Sequence, residues 1–254
     1  MRSFVLIVFA LPVLLMAQEN PTPNNSARNT ERPLLGFYSD FSVQMPSADM
    51  AVRYGKYNGM GFGFWRKSAS LWTLGGVFRA YFGGDVKEPN LLGSMVGPSG
   101  SPIDQNGILH VVRSYMRGYH TQLQLGRLIP LNGNLHSGIH LQAGYGFLQH
   151  KIKFSYDERA LPQLNVPYQY GYDRLSNGWT VSFSATAQHV NLNNGISFFG
   201  GMEWVQGYTY NRRSFDIPNG TRETALRTDA CLSIKGGLLV PIFRKKKSDE
   251  EFFQ

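Results

Sequence analysis

The sequence predicts an all-β protein: an eight-stranded antiparallel transmembrane β-barrel with an N-terminal signal peptide and a short C-terminal periplasmic tail. Three observations predict it. Apolar and polar residues alternate with period two along most of the chain, as they do when successive side chains point to opposite faces of a strand. The connections between these runs are mostly short at one end and long at the other. No stretch after Met16 approaches the ~20 apolar residues that a membrane helix needs. A chain of this kind that enters a bilayer must therefore enter as a closed barrel.

Composition narrows the function classes. Aromatics make up 13% of the 254 residues, and there are 28 glycines, a mixture that suits β-structure. A single cysteine, Cys231, excludes an intramolecular disulfide and a Cys-rich metal site. The net charge is +8, but the basic residues form no stripe interleaved with aromatics, which argues against nucleic acid as a partner.

The elements follow in order. Arg2 and the apolar run Phe4 to Met16 predict a signal peptide over 1–17, with Ala17 before the cleavage point. Residues 18–33 read as a flexible lead-in and 34–243 as the barrel. Its strands are predicted at about 34–45, 49–65, 69–83, 108–129, 134–154, 172–190, 195–212 and 223–241. The sixth is the clearest. Trp179, Val181, Phe183, Ala185 and Ala187 share one side, and Thr180, Ser182, Ser184, Thr186 and Gln188 the other. The turns at Arg66–Ser68, Pro130–Gly133 and Asn191–Asn194 are short, with Asn194-Gly195 a strong hairpin signal. The alternate connections are mostly long, about 84–107, 155–171 and 213–222, and only the first, Pro46 to Ala48, is brief. Short turns opposite long loops are the habit of outer-membrane barrels. Several runs exceed the 9–11 residues a tilted membrane strand requires, so the barrel should project on its long-loop side. Aromatics near strand ends (Trp65, Trp72, Tyr81, Phe82, Trp179, Tyr208, Tyr210) predict interfacial belts. Residues 244–254, RKKKSDEEFFQ, form the predicted tail, a candidate docking segment for a periplasmic protein.

The inward face predicts a polar lumen network of Asp40, Arg53, Arg79, His120, His136, His140, Glu203 and Lys235. Charges in a narrow dry lumen need partners, and eight strands leave an interior that side chains can fill. A plug is therefore favoured over a channel. His136 and His140 lie four apart on one strand, over about 13 Å, so no metal site is expected from them. No cofactor and no catalytic residues are assigned.

These features resemble the small eight-stranded outer-membrane barrels of the OmpA/OmpX type, in the long-stranded form common in Bacteroidota. The resemblance covers residues 34 to 243. Lys235, Gly237, Val240 and Ile242 match the polar-x-Gly-x-x-hydrophobic-x-hydrophobic signal by which the barrel assembly machinery recognises a last strand. Here its hydrophobic positions are aliphatic and the chain runs on to Gln254. The resemblance implies the outer membrane of a Gram-negative bacterium and no particular activity. Lipid A deacylases among such barrels carry a His-x-Ser pair. The nearest match here, His189-Val190-Asn191, has Asn in place of the nucleophile, so an enzyme is not expected. A structural or interaction protein, an accessory of an envelope or secretion assembly, is the first expectation. A narrow pore and a lipid A-modifying enzyme are the alternatives. Arg113, Arg117, Arg212 and Arg213 are candidate contacts for lipopolysaccharide phosphates.

Overall fold

A computed structural model describes residues 33–97, 101–104, 106–131, 134–191 and 196–243. The signal peptide, the lead-in up to residue 32, the 244–254 tail and the Asn194-Gly195 turn lie outside the described residues. The strands are β1 (Leu34–Ser47), β2 (Tyr57–Lys67), β3 (Trp72–Gly83), β4 (Arg113–Leu131), β5 (Asn134–Ser155), β6 (Ser176–His189), β7 (Ser197–Asn211) and β8 (Arg227–Phe243). Each pairs antiparallel with its neighbour in sequence, and β1 pairs with β8 to close the ring. No strand edge is left open, which removes the unpaired backbone groups that hydrocarbon cannot satisfy.

The number and order of strands match the sequence reading; several boundaries do not. The second strand begins at Tyr57, not at residue 49. A short helix, α1 (Ala48–Arg53), occupies its place. Ala48 turns the chain with φ 50°, and the helix buries Met50 and Arg53 together, one turn apart on a single face. The fourth strand begins at Arg113 rather than 108. The apolar run Ile108, Leu109, Val111 and Val112 reads as strand, yet Ile108, Leu109 and Val111 are exposed residues of the β3–β4 connection. The sixth and eighth strands likewise start later, at Ser176 and Arg227.

The two faces of the ring are chemically inverted relative to a soluble barrel. Phe62, Phe64, Leu123, Leu125, Tyr145 and Phe183 point outward and are exposed, whereas Ser42, Gln122, Gln124, Thr180, Ser182 and Ser184 point inward and are buried. On β5 the apolar outward residues run from Ile139 to Phe147, about 27 Å of extended chain, close to the height of a membrane-barrel belt. Trp72, Trp179 and Tyr210 lie on the outer face as the belt reading predicts. Trp65 and Tyr81 do not. Both are buried inside the ring, Trp65 edge-on to His140 and Tyr81 against His120.

β4 and β5 contain 19 and 22 residues, so they rise well past the belt. Four connections gather at that end: 48–56, 84–112, 156–175 and 212–226. Beneath them a hydrophobic cluster forms from Met50, Met116, Ile152, Phe154, Leu161, Leu164 and Tyr172. Leu34, Phe243 and the Ser68–Leu71 connection lie at the other end.

Candidate functional site

An ion cluster lies across the lumen, and strand register explains its geometry. Asp40 pairs with Gly61, Gly61 with Arg79, and Arg79 with His120, so these residues form one inward row across β1 to β4. A Cβ on Gly61 would come within 2.7 Å of the Asp40 carboxylate. The missing side chain lets Arg79 reach across β2. Its Nε and Nη2 donate to Asp40 Oδ1 and Oδ2, both at 3.0 Å. Its Nη1 donates to Glu203 Oε2 at 2.8 Å from the far wall. Lys235 Nζ donates to the same Glu203 oxygen at 3.2 Å. Gln122 Nε2 donates to Glu203 Oε1 at 2.6 Å and is itself fixed by Ser182, whose hydroxyl donates to Gln122 Oε1 at 2.6 Å. Two cations thus meet two carboxylates, with every member buried. A bidentate guanidinium–carboxylate pair is the strong form of such contacts.

Of the other expected lumen residues, His120 ends the same row and its ring Nε2 meets Thr180 Oγ1 at 2.9 Å. His140 meets Thr73 Oγ1 at 2.7 Å towards the short-turn end, where His136 is also buried. Arg53 is a correction. It is not part of the lumen row, because it belongs to α1 and sits over the mouth of the barrel.

There Arg53 organises a second network. Its Nε donates to Glu88 Oε2 at 2.8 Å and its Nη2 to Glu223 Oε2 at 3.3 Å. Its Nη1 donates to the Arg174 carbonyl at 3.2 Å and to Ser176 Oγ at 2.9 Å. One buried guanidinium therefore touches the β3–β4, β5–β6 and β7–β8 connections from the β1–β2 connection. Arg174 reinforces it through Glu88 and Asp216. Arg213 donates its Nε to Asp173 Oδ1 at 2.8 Å and lies 4.3 Å from the Tyr170 ring centroid. Burial would raise the Glu223 carboxyl, but the Asn211 amide together with Arg53 and Arg227 outweighs it and holds Glu223 below the ordinary range.

Between plug and cap lies a buried chain of polar groups that sequence reading missed. Tyr54 Oη meets His150 Nδ1 at 3.1 Å, His150 Nε2 meets Asp229 Oδ2 at 3.0 Å, and the Thr209 hydroxyl donates to the same oxygen at 2.5 Å. Inward parity on β5 and β8 was the available signal for His150 and Asp229. Nothing local marked Glu88, Arg174 or Glu223, which are loop residues.

The candidate lipopolysaccharide contacts separate. Arg113 and Arg117 are exposed on the outer face of β4. Arg212 donates to Asn177 Oδ1 at 2.5 Å, and Arg213 is held by Asp173. Of the assembly-signal residues, Lys235 belongs to the lumen cluster, Val240 and Ile242 face outward, and Gly237 gives way to Phe199 and the Ser39 carbonyl. As for the enzyme motifs, His189 packs against Phe198 at 5.4 Å. His136 points inward, whereas the Ser137 hydroxyl donates to the Val190 carbonyl.

No family model and no curated protein matches the chain. Among solved structures it is similar to Ail, the attachment invasion locus protein of Yersinia pestis, in complex with the heparin analogue sucrose octasulfate, at 10% identity, 82% of this chain, 99% of that chain and a TM-score of 0.43. It is also similar to Neisserial surface protein A, at 8%, 81%, 96% and 0.41, and to the outer membrane protein OprG from Pseudomonas aeruginosa, at 12%, 83%, 97% and 0.38. Superpositions this loose carry no argument. The assignment rests on the closed ring, its apolar outside and its polar inside, with short turns at one end and long loops at the other. These make the chain an outer-membrane β-barrel of a Gram-negative cell.

Proposed function

We propose that this protein is a sealed, non-enzymatic barrel that acts through its extracellular face as a structural or interaction protein, an accessory of an envelope or secretion assembly. The observation that carries the reading is the presence of two buried ion networks, Arg79 with its two carboxylates inside the ring and Arg53 with its loop partners over the mouth. Eight strands leave an interior that side chains can fill, and networks of this kind favour a plug over a channel. The outer connections supply Tyr168, Tyr170 and Phe215 as exposed aromatics, a residue class enriched at recognition surfaces. Barrel assembly machinery acting on Lys235, Gly237, Val240 and Ile242, and a periplasmic protein docking on the 244–254 tail, belong to the same reading. A lipid A-modifying activity finds little support. Ser137 and His136 project to opposite faces, and Asn191 stands at the nucleophile position of the deacylase pattern.

The alternative is a narrow pore. Planar-bilayer recording of the purified mature protein separates the two. The sealed barrel gives no steady conductance, and a reproducible single-channel step in the wild type would replace this reading with the pore.

A further inference from the structure

Beyond the belt, the outward face of β4 and β5 changes character. Arg117 stands directly opposite Lys151, Tyr115 opposite Lys153, and Arg113 opposite Ser155. The four cations are exposed, and none of them joins an ion pair among the described residues. Like charges directly opposite each other destabilise a sheet, so this arrangement is held against its own repulsion. The Arg117 guanidinium lies 5.4 Å from the Tyr115 ring centroid. A cleft of about 350 Å³ opens between Tyr115, Arg117, Lys153 and Tyr156, with Glu158 its one carboxylate.

Directly below on the same face is a second recess. An apolar groove of about 620 Å³ runs between Phe78, Leu123, Tyr145 and Phe147, over Gly76 and Thr121. A Cβ at Gly76 would meet the Phe64 ring at 3.4 Å, so the groove exists partly because no side chain fills it. Tyr119 separates the two recesses, stacked on Phe78 at 5.9 Å and tilted against Phe147 at 6.3 Å. Aromatic rings of this kind mark the boundary between hydrocarbon and headgroups. From Thr121 to Arg117 is about 13 Å of strand, the step from the upper acyl region to the headgroup phosphates.

We propose that this face of β3, β4 and β5 binds one lipopolysaccharide molecule, with its anionic groups at Arg113, Arg117, Lys151 and Lys153 and an acyl chain in the groove over Gly76. The inference rests on the outer-membrane reading but not on the lumen being sealed. Height on the barrel selects a lipid over a soluble anion. Four unpaired cations exceed what the single phosphate of a glycerophospholipid can satisfy, and they suit a lipid carrying several anionic groups. Lys151 and Lys153 thereby replace Arg212 and Arg213, which are engaged within the cap.

The test uses the full mature protein in detergent, titrated with rough lipopolysaccharide or with phosphatidylglycerol and read by native mass spectrometry. Wild-type protein retains one lipopolysaccharide and binds phosphatidylglycerol far more weakly. The triple variant R117Q/K151Q/K153Q loses about tenfold or more in apparent affinity and most of its salt dependence. Gly76→Leu weakens binding while keeping the salt dependence, and Arg222→Gln, which removes one charge from the exposed β7–β8 connection, changes nothing. All these positions face outward, and heat-modifiable gel mobility reports that each variant has folded. Unchanged retention in the triple variant overturns the proposal, as does equal retention of phosphatidylglycerol. Conductance of the same preparation reads the sealed-lumen reading separately.

Discussion

The plug and the cap both bury arginines among carboxylates, yet they are built on opposite principles. Every charged member of the plug stands on a strand. Register puts Asp40, Gly61 and Arg79 in one row, and the narrow ring brings Glu203 and Lys235 to meet them. The cap is assembled from four separate connections, and Arg53 holds three of them through four contacts of 2.8–3.3 Å. The plug is thus tied to the barrel, because every one of its charged residues is anchored on a paired strand. The cap has its own cluster beneath it, with Met50, Leu161 and Leu164, and can open while the ring stays closed. Buried networks on paired strands belong to the global stability, and those on loops to the locally opening part.

The largest expected effect follows from that difference. Arg79→Met leaves Asp40 and Glu203 buried with only Lys235 between them. Removing one partner from a buried ion network costs about 3–5 kcal/mol. Urea unfolding in detergent micelles, followed by the heat-modifiable gel shift, should show this as a loss of global stability. Asp40→Asn added to Arg79→Met should recover most of it, because Glu203 and Lys235 then balance. If the double variant is no more stable than the single, the plug is not a charge-balanced unit.

Arg53→Met should do less and do it elsewhere. Its carboxylate partners Glu88 and Glu223 are partly exposed, unlike Asp40 and Glu203, so water takes up part of what they lose, and the loss falls on the cap. Hydrogen exchange should rise across 84–112, 156–175 and 212–226, with the strand amides of β1 to β3 unchanged. A global destabilisation equal to that of Arg79→Met would erase the distinction between the two networks.

How far the sequence could be read follows the same division. The ring, its strand order and most of the plug were legible, because period-two alternation assigns each strand residue to a face. Asp40, Arg79, Glu203 and Lys235 were all found that way. Their pairing was not legible, because it depends on register and on the gap left at Gly61. Gln122 has the inward parity of His120, but its bond to Glu203 depends on the diameter of the ring. Arg53 misled because its alternating neighbourhood looked like the start of a strand. The Met50–Arg53 spacing, which suits a helix face as well, was the contrary signal. Glu88 was not legible, since loops have no periodicity to fix where a side chain goes, and Arg174 and Glu223 were hidden because the sixth and eighth strands read as starting at 172 and 223 rather than at Ser176 and Arg227. The belt was legible as a class of residue but not by position. Trp65 and Tyr81 read as interfacial, yet their parity turns them into the lumen.

The smallest expected effect is the acid response of the cap. Glu223 is held below its ordinary range in the folded protein, and an unperturbed glutamate titrates at about 4.3. A carboxyl depressed on folding contributes stability above its unfolded value and loses that contribution as pH falls through the folded one. The Glu223 contribution should therefore be constant between pH 7 and 5 and be lost only below about pH 4. The glutamate side chain is 28% exposed, so its share is at most about 1 kcal/mol. Limited proteolysis of the 212–226 connection with an acid-active protease should show the change. Glu223→Gln should flatten it, because the amide keeps the contacts and has no proton to take up. Loosening already at pH 6 in wild-type protein would assign the response to a histidine instead, and His150, buried against Asp229 between plug and cap, would be the group to replace next.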